Sequence, residues 1–243
     1  MDVQQAVILA AGNGDRFRNG SPHSKLLASV GGTPLLIRTL SSAFSAGIRY
    51  AHIVLGYDAD SVRAMAERLA PRGMTLYFHL NHNWHEENGL SVLAAREGVE
   101  HQPFALMMGD HIFDPAVLQR LRRAPLDADE ALLGIDRQPC DADTAAEATK
   151  VQLEGDRIRA IGKTLQPYDA LDTGLFICHA SIFDALEASC AEGDSTLSGG
   201  VRRLAARQLV RGIDIGDARW CDVDTTADLT AAEELLACDH MHA

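Results

Sequence analysis

Residues 6–25 read AVILAAGNGDRFRNGSPHSK. An apolar run, Ala6-Val7-Ile8-Leu9-Ala10-Ala11, breaks into Gly12-Asn13-Gly14 and then Asp15-Arg16, and Lys25 follows a loop that contains Pro22. A buried strand ending in small residues and glycines lets backbone N–H groups come close to an anion. Glycine permits the tight turn, and successive N–H groups form a nest. Arg16 adds a planar fork and Lys25 a mobile point charge. The stretch therefore predicts a strand that presents a triphosphate site at its carboxyl end, and with it an α/β fold.

Two lookalikes are excluded by single residues. A dinucleotide fingerprint needs a third glycine at position 17, which is Phe17. A Walker loop needs Gly-Lys-Ser/Thr directly after the turn, and here the lysine stands alone after Ser24. The pattern L-A-A-G-x-G-x-R…K resembles the signature of nucleotidyltransferases that activate sugar phosphates and related phospho-alcohols.

Working outward, strand-like and helical patterns alternate. Residues 6–11, 50–56, 75–79 and 103–108 read as strands. Residues 35–46, 61–69, 89–97 and 115–122 read as helices. Thr33-Pro34 suits entry to the first helix, and Asp60 or Ser61 would cap the second. This β-α order predicts a doubly wound, mostly parallel Rossmann-like sheet flanked by helices. From about Ala131 the pattern changes to short strands at 131–135, 148–154, 157–161 and 172–178. A Glu154-Gly155-Asp156 turn marks a hairpin. Helices return at 181–188 and 201–207, a strand at 210–215, and an amphipathic helix at 226–237. The expectation is one domain over residues 1–243, with a nucleotide-binding half (1–125) and an acceptor half (126–243) that carries a small antiparallel insertion.

The chain has 243 residues, 47% hydrophobic and 23% charged, ordinary for a globular protein. A net charge of −12 leaves no basic surface for a nucleic-acid backbone. It leaves room for a small anionic substrate in a local basic pocket. No 18-residue apolar run exists, so no membrane insertion is expected, and MDVQQAVILAAG lacks the basic start of a signal peptide. Cys140, Cys178, Cys190, Cys221 and Cys238 are odd in number and show no CxxC spacing. That usage points to reduced thiols and a cytoplasmic location. Asp239-His240-Met241-His242 reads as a frayed tail.

Two carboxylates stand out. Asp110 follows the strand 103–108, at the end where open α/β sheets bind ligands, and Asp224 follows the last strand. Together they could hold one Mg²⁺, which favours one or two carboxylates plus phosphate oxygens and water. Asp222 would face away from Asp224 if that segment stays extended, which assigns it a structural part. His111 fits both a substrate contact and a buried structural histidine, and Trp84 both a lid and a core residue.

Further segments occur in order: NHNWHEENGLSVLAA, LMMGDHIF, EATKV, IGKTL, DALDTGLFI and WCDVDTTADL. With the opening stretch they span almost the whole chain and resemble the CTP:inositol-1-phosphate cytidylyltransferases. The resemblance implies that Leu9, Ala10, Ala11, Gly12 and Gly14 line the nucleotide by backbone contact. Arg16 and Lys25 would bind the triphosphate, and Asn88, Gly89 and Ser91 would read the pyrimidine. Asp110 and Asp224 would hold Mg²⁺. Lys150 would bind the acceptor phosphate, and Glu147 and Asp172 its hydroxyls. It also implies a membrane-bound CDP-alcohol transferase acting downstream, expected as a separate chain. Two departures are a loop before Lys25 longer than the usual Pro-Lys version, and Thr226 where a proline is common. Three matters stay open: UTP in place of CTP, the oligomeric state, and other acceptors (a sugar 1-phosphate, phosphocholine or 2-aminoethylphosphonate). A regulatory nucleotide-binding subunit without turnover would be expected to lose a metal carboxylate or the phosphate lysine, and both are present.

Overall fold

The computed structural model describes residues 3–18, 23–99, 101–138 and 142–239. The loop at 19–22, Cys140 and the tail at 240–243 lie outside the described residues, as do the side chains of Thr226 and Cys238.

Thirteen strands run in chain order through the described residues. They are β1 (Gln5–Ala10), β2 (Ser29–Val30), β3 (Thr33–Pro34), β4 (Tyr50–Leu55), β5 (Thr75–Leu80), β6 (Phe104–Met108), β7 (His111–Phe113), β8 (Ala131–Asp136), β9 (Lys150–Glu154), β10 (Arg157–Gly162), β11 (Ala170–Cys178), β12 (Val210–Asp214) and β13 (Trp220–Asp222). Between them lie α1 (Asp15–Arg18), α2 (Leu35–Ser45), α3 (Ala59–Leu69), α4 (Asn88–Ala94), α5 (Arg96–Val99), α6 (Pro115–Arg123), α7 (Ala142–Glu147), α8 (Ser181–Ala191), α9 (Leu197–Ala206) and α10 (Thr226–Asp239). Nine strands form one sheet in the order β5-β4-β1-β6-β11-β8-β12-β10-β9.

The first four sheet positions are parallel, as the alternating pattern requires, with Ile8 opposite Ile53 on one side and Met107 on the other. Beyond β6 the sheet is mixed. β11 runs antiparallel to both β6 and β8, and β12 is parallel to β8. The antiparallel strands expected as a small insertion are thus part of the same sheet. The β9–β10 hairpin turns at Gly155 and closes the far edge.

Side chains of β1 alternate between two cores, as a strand with both faces covered must. Ala6, Ile8 and Ala10 pack with Leu36 and Leu40 of α2, Val62 of α3 and Leu118 of α6. Val7 packs on the other face with Val92 of α4, Phe183 of α8 and Val201 of α9. A third, smaller cluster joins Val30, Leu35, Ile112, Val223 and Ala232, and so seats β7, β13 and α10 beside the parallel half.

The chain leaves β1 for β4 and β5 on one side, then returns to β6 on the other. The carboxyl ends of β1 and β6 therefore diverge at a topological switch point, where such sheets leave a crevice. Local differences from the sequence reading are modest. Helix α3 starts two residues early, with Asp58 at φ 52° in the N-cap position, where Asp60 or Ser61 was expected, and with no side-chain capping bond. The helix expected over 89–97 divides at Ala95 into α4 and α5. No helix among the described residues is long and apolar enough to cross a membrane.

Candidate active site

The switch point brings the sequence-expected groups together. β1 delivers Ala11 and the glycine turn, and its Leu9 carbonyl accepts from Gly109 N–H at 2.9 Å. That bond locks the end of β6, and Asp110 with it, beside the turn. The carbonyl of Ala11 accepts from Tyr57 N–H at 2.9 Å, and that of Gly14 from Phe17 N–H at 3.0 Å. Gly14 has φ +61°, and a Cβ there would lie 2.8 Å from Lys25 Cγ. Glycine is required at this position on both counts. A Cβ on Gly12 would meet nothing within 4 Å, so the turn opens onto space.

Lys25 sits on a short 3₁₀ turn, Lys25–Leu27, capped by the Ser24 hydroxyl. Its Nζ lies 2.7 Å from Asp110 Oδ2 and 2.6 Å from Asp224 Oδ1, and donates to the Val223 carbonyl at 3.0 Å. Arg16 pairs with Asp224 and reaches Glu147 Oε2 at 3.4 Å. It thereby links α1, after β1, to α7, before β9. Asp224 is held in place from behind, because Asp228 Oδ2 accepts from the N–H groups of Asp224 and Thr225.

Asp222 belongs to this cluster, which corrects its assignment to the opposite face. Strand β13 ends at Asp222, and two-residue alternation applies only within a strand. The chain turns after it, so Asp224 comes back to Lys25 while Asp222 stands opposite His111. His111 Nδ1 lies 3.0 Å from Asp110 Oδ1 and 3.7 Å from Asp222 Oδ1. Ligand-type atoms of Asp110, His111 and Asp222 all lie within 4.8 Å of one another.

The charges explain the protonation states. Burial works against the Lys25 ammonium, but Asp110, Asp224 and Asp222 outweigh it and raise its pKa. Burial also works against ionised Asp110, yet Lys25 and His111 hold it well below the usual carboxylate range. Burial opposes charge on His111 too. Asp222 and Asp110 reverse this and lift it to about 9, so it is an imidazolium at neutral pH. An imidazolium donates and does not ligate a cation. The oxygen donors suited to a hard divalent ion are the carboxylates of Asp110, Asp222 and Asp224. Burial and the negative charges of Asp110 and Asp224 raise Asp222 above the ordinary range.

A cavity of about 1270 Å³ lies between this cluster and residues from the mixed part of the sheet. Arg16, Asp222, Asp224, Glu147, Asp172, Lys163, Asp136 and Trp220 are among the residues that line it. Asp172, pushed up to about 6 by burial, accepts from Gly174 N–H at 2.8 Å. Trp220 Nε1 donates to Asp136 Oδ2 at 3.0 Å, and its ring stacks on His111 at 6.0 Å.

Other expected residues lie elsewhere. Lys150 is buried, and its Nζ donates to the Ala146 carbonyl at 2.7 Å, bracing the end of α7. It is not among the cavity-lining residues, whereas Lys163 is. Of the three residues assigned to the base, Asn88 and Gly89 pin α4 to the start of α9, and Ser91 ties it to Asn81 after β5. Asn88 Oδ1 accepts from Leu197 N–H at 2.8 Å, Gly89 N–H donates to Ser195 O at 3.0 Å, and Ser91 Oγ accepts from Asn81 Nδ2 at 3.0 Å. Asn88 also lines the cavity. Sequence reasoning assigned no role to Lys163, Asp136 or Trp220, although Lys163 lies in the IGKTL segment it singled out.

Comparison with known proteins accords with this geometry. The model of the MobA-like NTP transferase domain matches residues 6–211. A bifunctional IPC transferase and DIPP synthase of Rubrobacter xylanophilus is 37% identical over 236 residues, covering 95% of this chain and 51% of that protein. The protein of the same name from Aquifex aeolicus is 32% identical over 238 residues, covering 96% of this chain and 52% of its own. The chain thus spans about half the length of these relatives. The structure of the inositol-1-phosphate CTP transferase from T. maritima matches with a TM-score of 0.85 at 25% identity, over 98% of this chain and 96% of that one. The matched span runs from the first residues of the glycine-ended strand into β12, and the chain belongs to the MobA-like NTP transferase domain family.

Proposed function

We propose that this protein transfers CMP from CTP to inositol 1-phosphate, giving CDP-inositol and pyrophosphate. The observation that carries the reading is the meeting of Arg16, Lys25, Asp110 and Asp224 in one ion-pair cluster, whose Arg16 and Asp224 also line a cavity together with Glu147, Asp172 and Lys163. The names of the relatives and of the matching structure support the acceptor.

An oxygen of the acceptor phosphate attacks the α-phosphorus of CTP. A new P–O bond forms, the bond from the α-phosphorus to the bridging oxygen breaks, and pyrophosphate leaves. The nucleophile needs no general base, because a phosphate monoester has a second pKa of about 6 and is already ionised at neutral pH. The obstacle is repulsion between anions, so rate comes from positioning and charge stabilisation. Backbone groups of Leu9 to Gly14 line the nucleotide, and Asn88, Gly89 and Ser91 border its base. Arg16 and Lys25 hold the triphosphate and the departing pyrophosphate. Lys163 takes the acceptor phosphate, with Lys150 bracing the helix that carries Glu147, and Glu147 and Asp172 take the hydroxyls. Asp110 and Asp224, with Asp222 beside them, fit Mg²⁺, because their oxygens suit a hard cation. Bound there, Mg²⁺ would neutralise charge on the phosphates. The product is a soluble activated alcohol, which suits consumption by a membrane-bound CDP-alcohol transferase.

A pyrophosphate-release screen tests the reading. It crosses four nucleoside triphosphates with inositol 1-phosphate, glucose 1-phosphate, phosphocholine and 2-aminoethylphosphonate, with Mg²⁺ present. Release is expected with CTP and inositol 1-phosphate. Release only with another acceptor would keep the reaction class and overturn the acceptor, and no release from any pair would overturn both.

A further inference from the structure

The contacts of Lys25 do not match a residue whose sole duty is to bind phosphate. The side chain is buried, its stem lies against Gly14, and its ammonium touches three oxygens of Asp110, Asp224 and Val223 within 3.0 Å. Asp110 ends the β6 segment and Asp224 follows β13, so these carboxylates come from distant parts of the chain. Two carboxylates enclosed together repel one another, and each favours a cation between them. Here one ammonium serves both. Mg²⁺ would need oxygens at about 2.0–2.1 Å. An ion entering between Asp110 Oδ2 and Asp224 Oδ1 would take the position that the ammonium, 2.6–2.7 Å from the same atoms, now holds.

We propose that Lys25 is an internal counter-cation that holds Asp110 and Asp224 together until a divalent ion replaces it, and that this exchange frees it for the phosphates. The inference rests on the metal-carboxylate part of the proposed function and extends it. Lys25 lowers the affinity of the nucleotide-free protein for the ion and links arrival of the ion to release of the phosphate-binding lysine. Arg16 differs. It also pairs with Asp224, but its side chain is 58% exposed, so its charge is screened and its position is not the one an ion would take.

The test titrates the full chain with Mn²⁺ alone, a cation that carboxylates also accept, by calorimetry without nucleotide. Lys25→Met is expected to bind Mn²⁺ at least about twenty-fold more tightly than wild type, the factor by which a competing state held some 95% of the time lowers apparent affinity. Arg16→Gln removes an equal charge and is expected to change affinity at most about five-fold, the scale of an exposed ion pair. Melting temperature supplies a second readout. Lys25→Met should melt below wild type without metal, and saturating Mn²⁺ should restore it. Equal Mn²⁺ affinity in wild type and Lys25→Met overturns the proposal. An equal gain in Arg16→Gln does so too, since Lys25 would then be one nearby charge among others. A Lys25→Met protein that stays unfolded or uncorrected in saturating Mn²⁺ also overturns it, because charge would not be what the lysine supplies. No acceptor or nucleotide enters the titration. Intact exchange with no pyrophosphate release would therefore fault the reaction and leave this inference standing, and the reverse result would do the opposite.

Discussion

Lys150 and Lys163 belong to one hairpin and face different surroundings. Lys150 pairs in register with Gly162, one residue before Lys163. The first is buried and bonded to Ala146, and the second is exposed at the cavity wall. This register divides their duties. Lys163→Ala should raise the KM for inositol 1-phosphate on the order of 10–100-fold, the worth of a hydrogen bond to a charged group, with the KM for CTP nearly unchanged. Steady-state pyrophosphate release with each substrate varied in turn measures both. An unchanged acceptor KM in Lys163→Ala, with a large rise in Lys150→Ala, would return the phosphate to Lys150. Such a distinction is not legible in the sequence, because a lysine in a strand reads the same whichever face its register gives it. Asp222 was hidden for a related reason. Its placement depends on where β13 stops, and the pairing with β7 that stops it is only three residues long. Asp110 was legible because it follows a strong apolar run at the end where a parallel sheet leaves its crevice, and Arg16 because it follows the glycine turn that ends another; Lys25 and Asp224 were legible through motif spacing.

At the level of elements, α4 and α9 form the clamp that closes the cavity beside Asn88. Helix α9 begins with two caps, the Thr196 hydroxyl on Gly199 N–H and the Asn88 carbonyl oxygen on Leu197 N–H. Gly89 lies so close that a Cβ would stand 2.4 Å from Ser195 O, a backbone atom that cannot swing aside. Gly89→Ala is therefore expected to destabilise the fold by about 1–3 kcal/mol through overpacking, and Asn88→Ala by about 1 kcal/mol through the lost cap. Urea midpoints at neutral pH measure both. A neutral Gly89→Ala would show that the two helices separate freely. The sequence made long elements visible, because Pro34 and Asp114-Pro115 mark the starts of α2 and α6 and Gly155 marks the β9–β10 turn. It did not show β2, β3, β7 or β13. At two or three residues they carry no periodicity, and they exist through partners far away in the chain.

Across the whole molecule, the outer edge of the parallel half carries a titrating pair remote from the site. His52 on β4 and His79 on β5 meet with Nδ1 and Nε2 3.0 Å apart, and Tyr77 stacks on His52 at 4.7 Å. Burial, then the neighbouring His79, lowers His52 to about 4, and burial lowers His79 as well. Both are thus neutral in the fold at neutral pH. The unfolded chain takes up protons near 6.5, the ordinary histidine value. Between about 6.5 and 4 it therefore binds more protons than the folded chain, and stability must fall as the pH falls. The contribution is complete above 6.5. Other groups move in the same range. Asp172 and Asp222, raised by burial, favour the fold as they protonate, and His111 contributes fully below 6.5. These terms are common to wild type and a His52 variant, so a difference measurement removes them. Between pH 7.5 and 5 the urea midpoint of wild type is expected to fall more than that of His52→Phe. His79→Phe should flatten the slope in the same direction, since each variant removes one proton acceptor and relieves the other of its partner. Parallel slopes in all three proteins would mean that the pair protonates in the fold at little cost, and that the edge of the sheet opens enough to let water reach it.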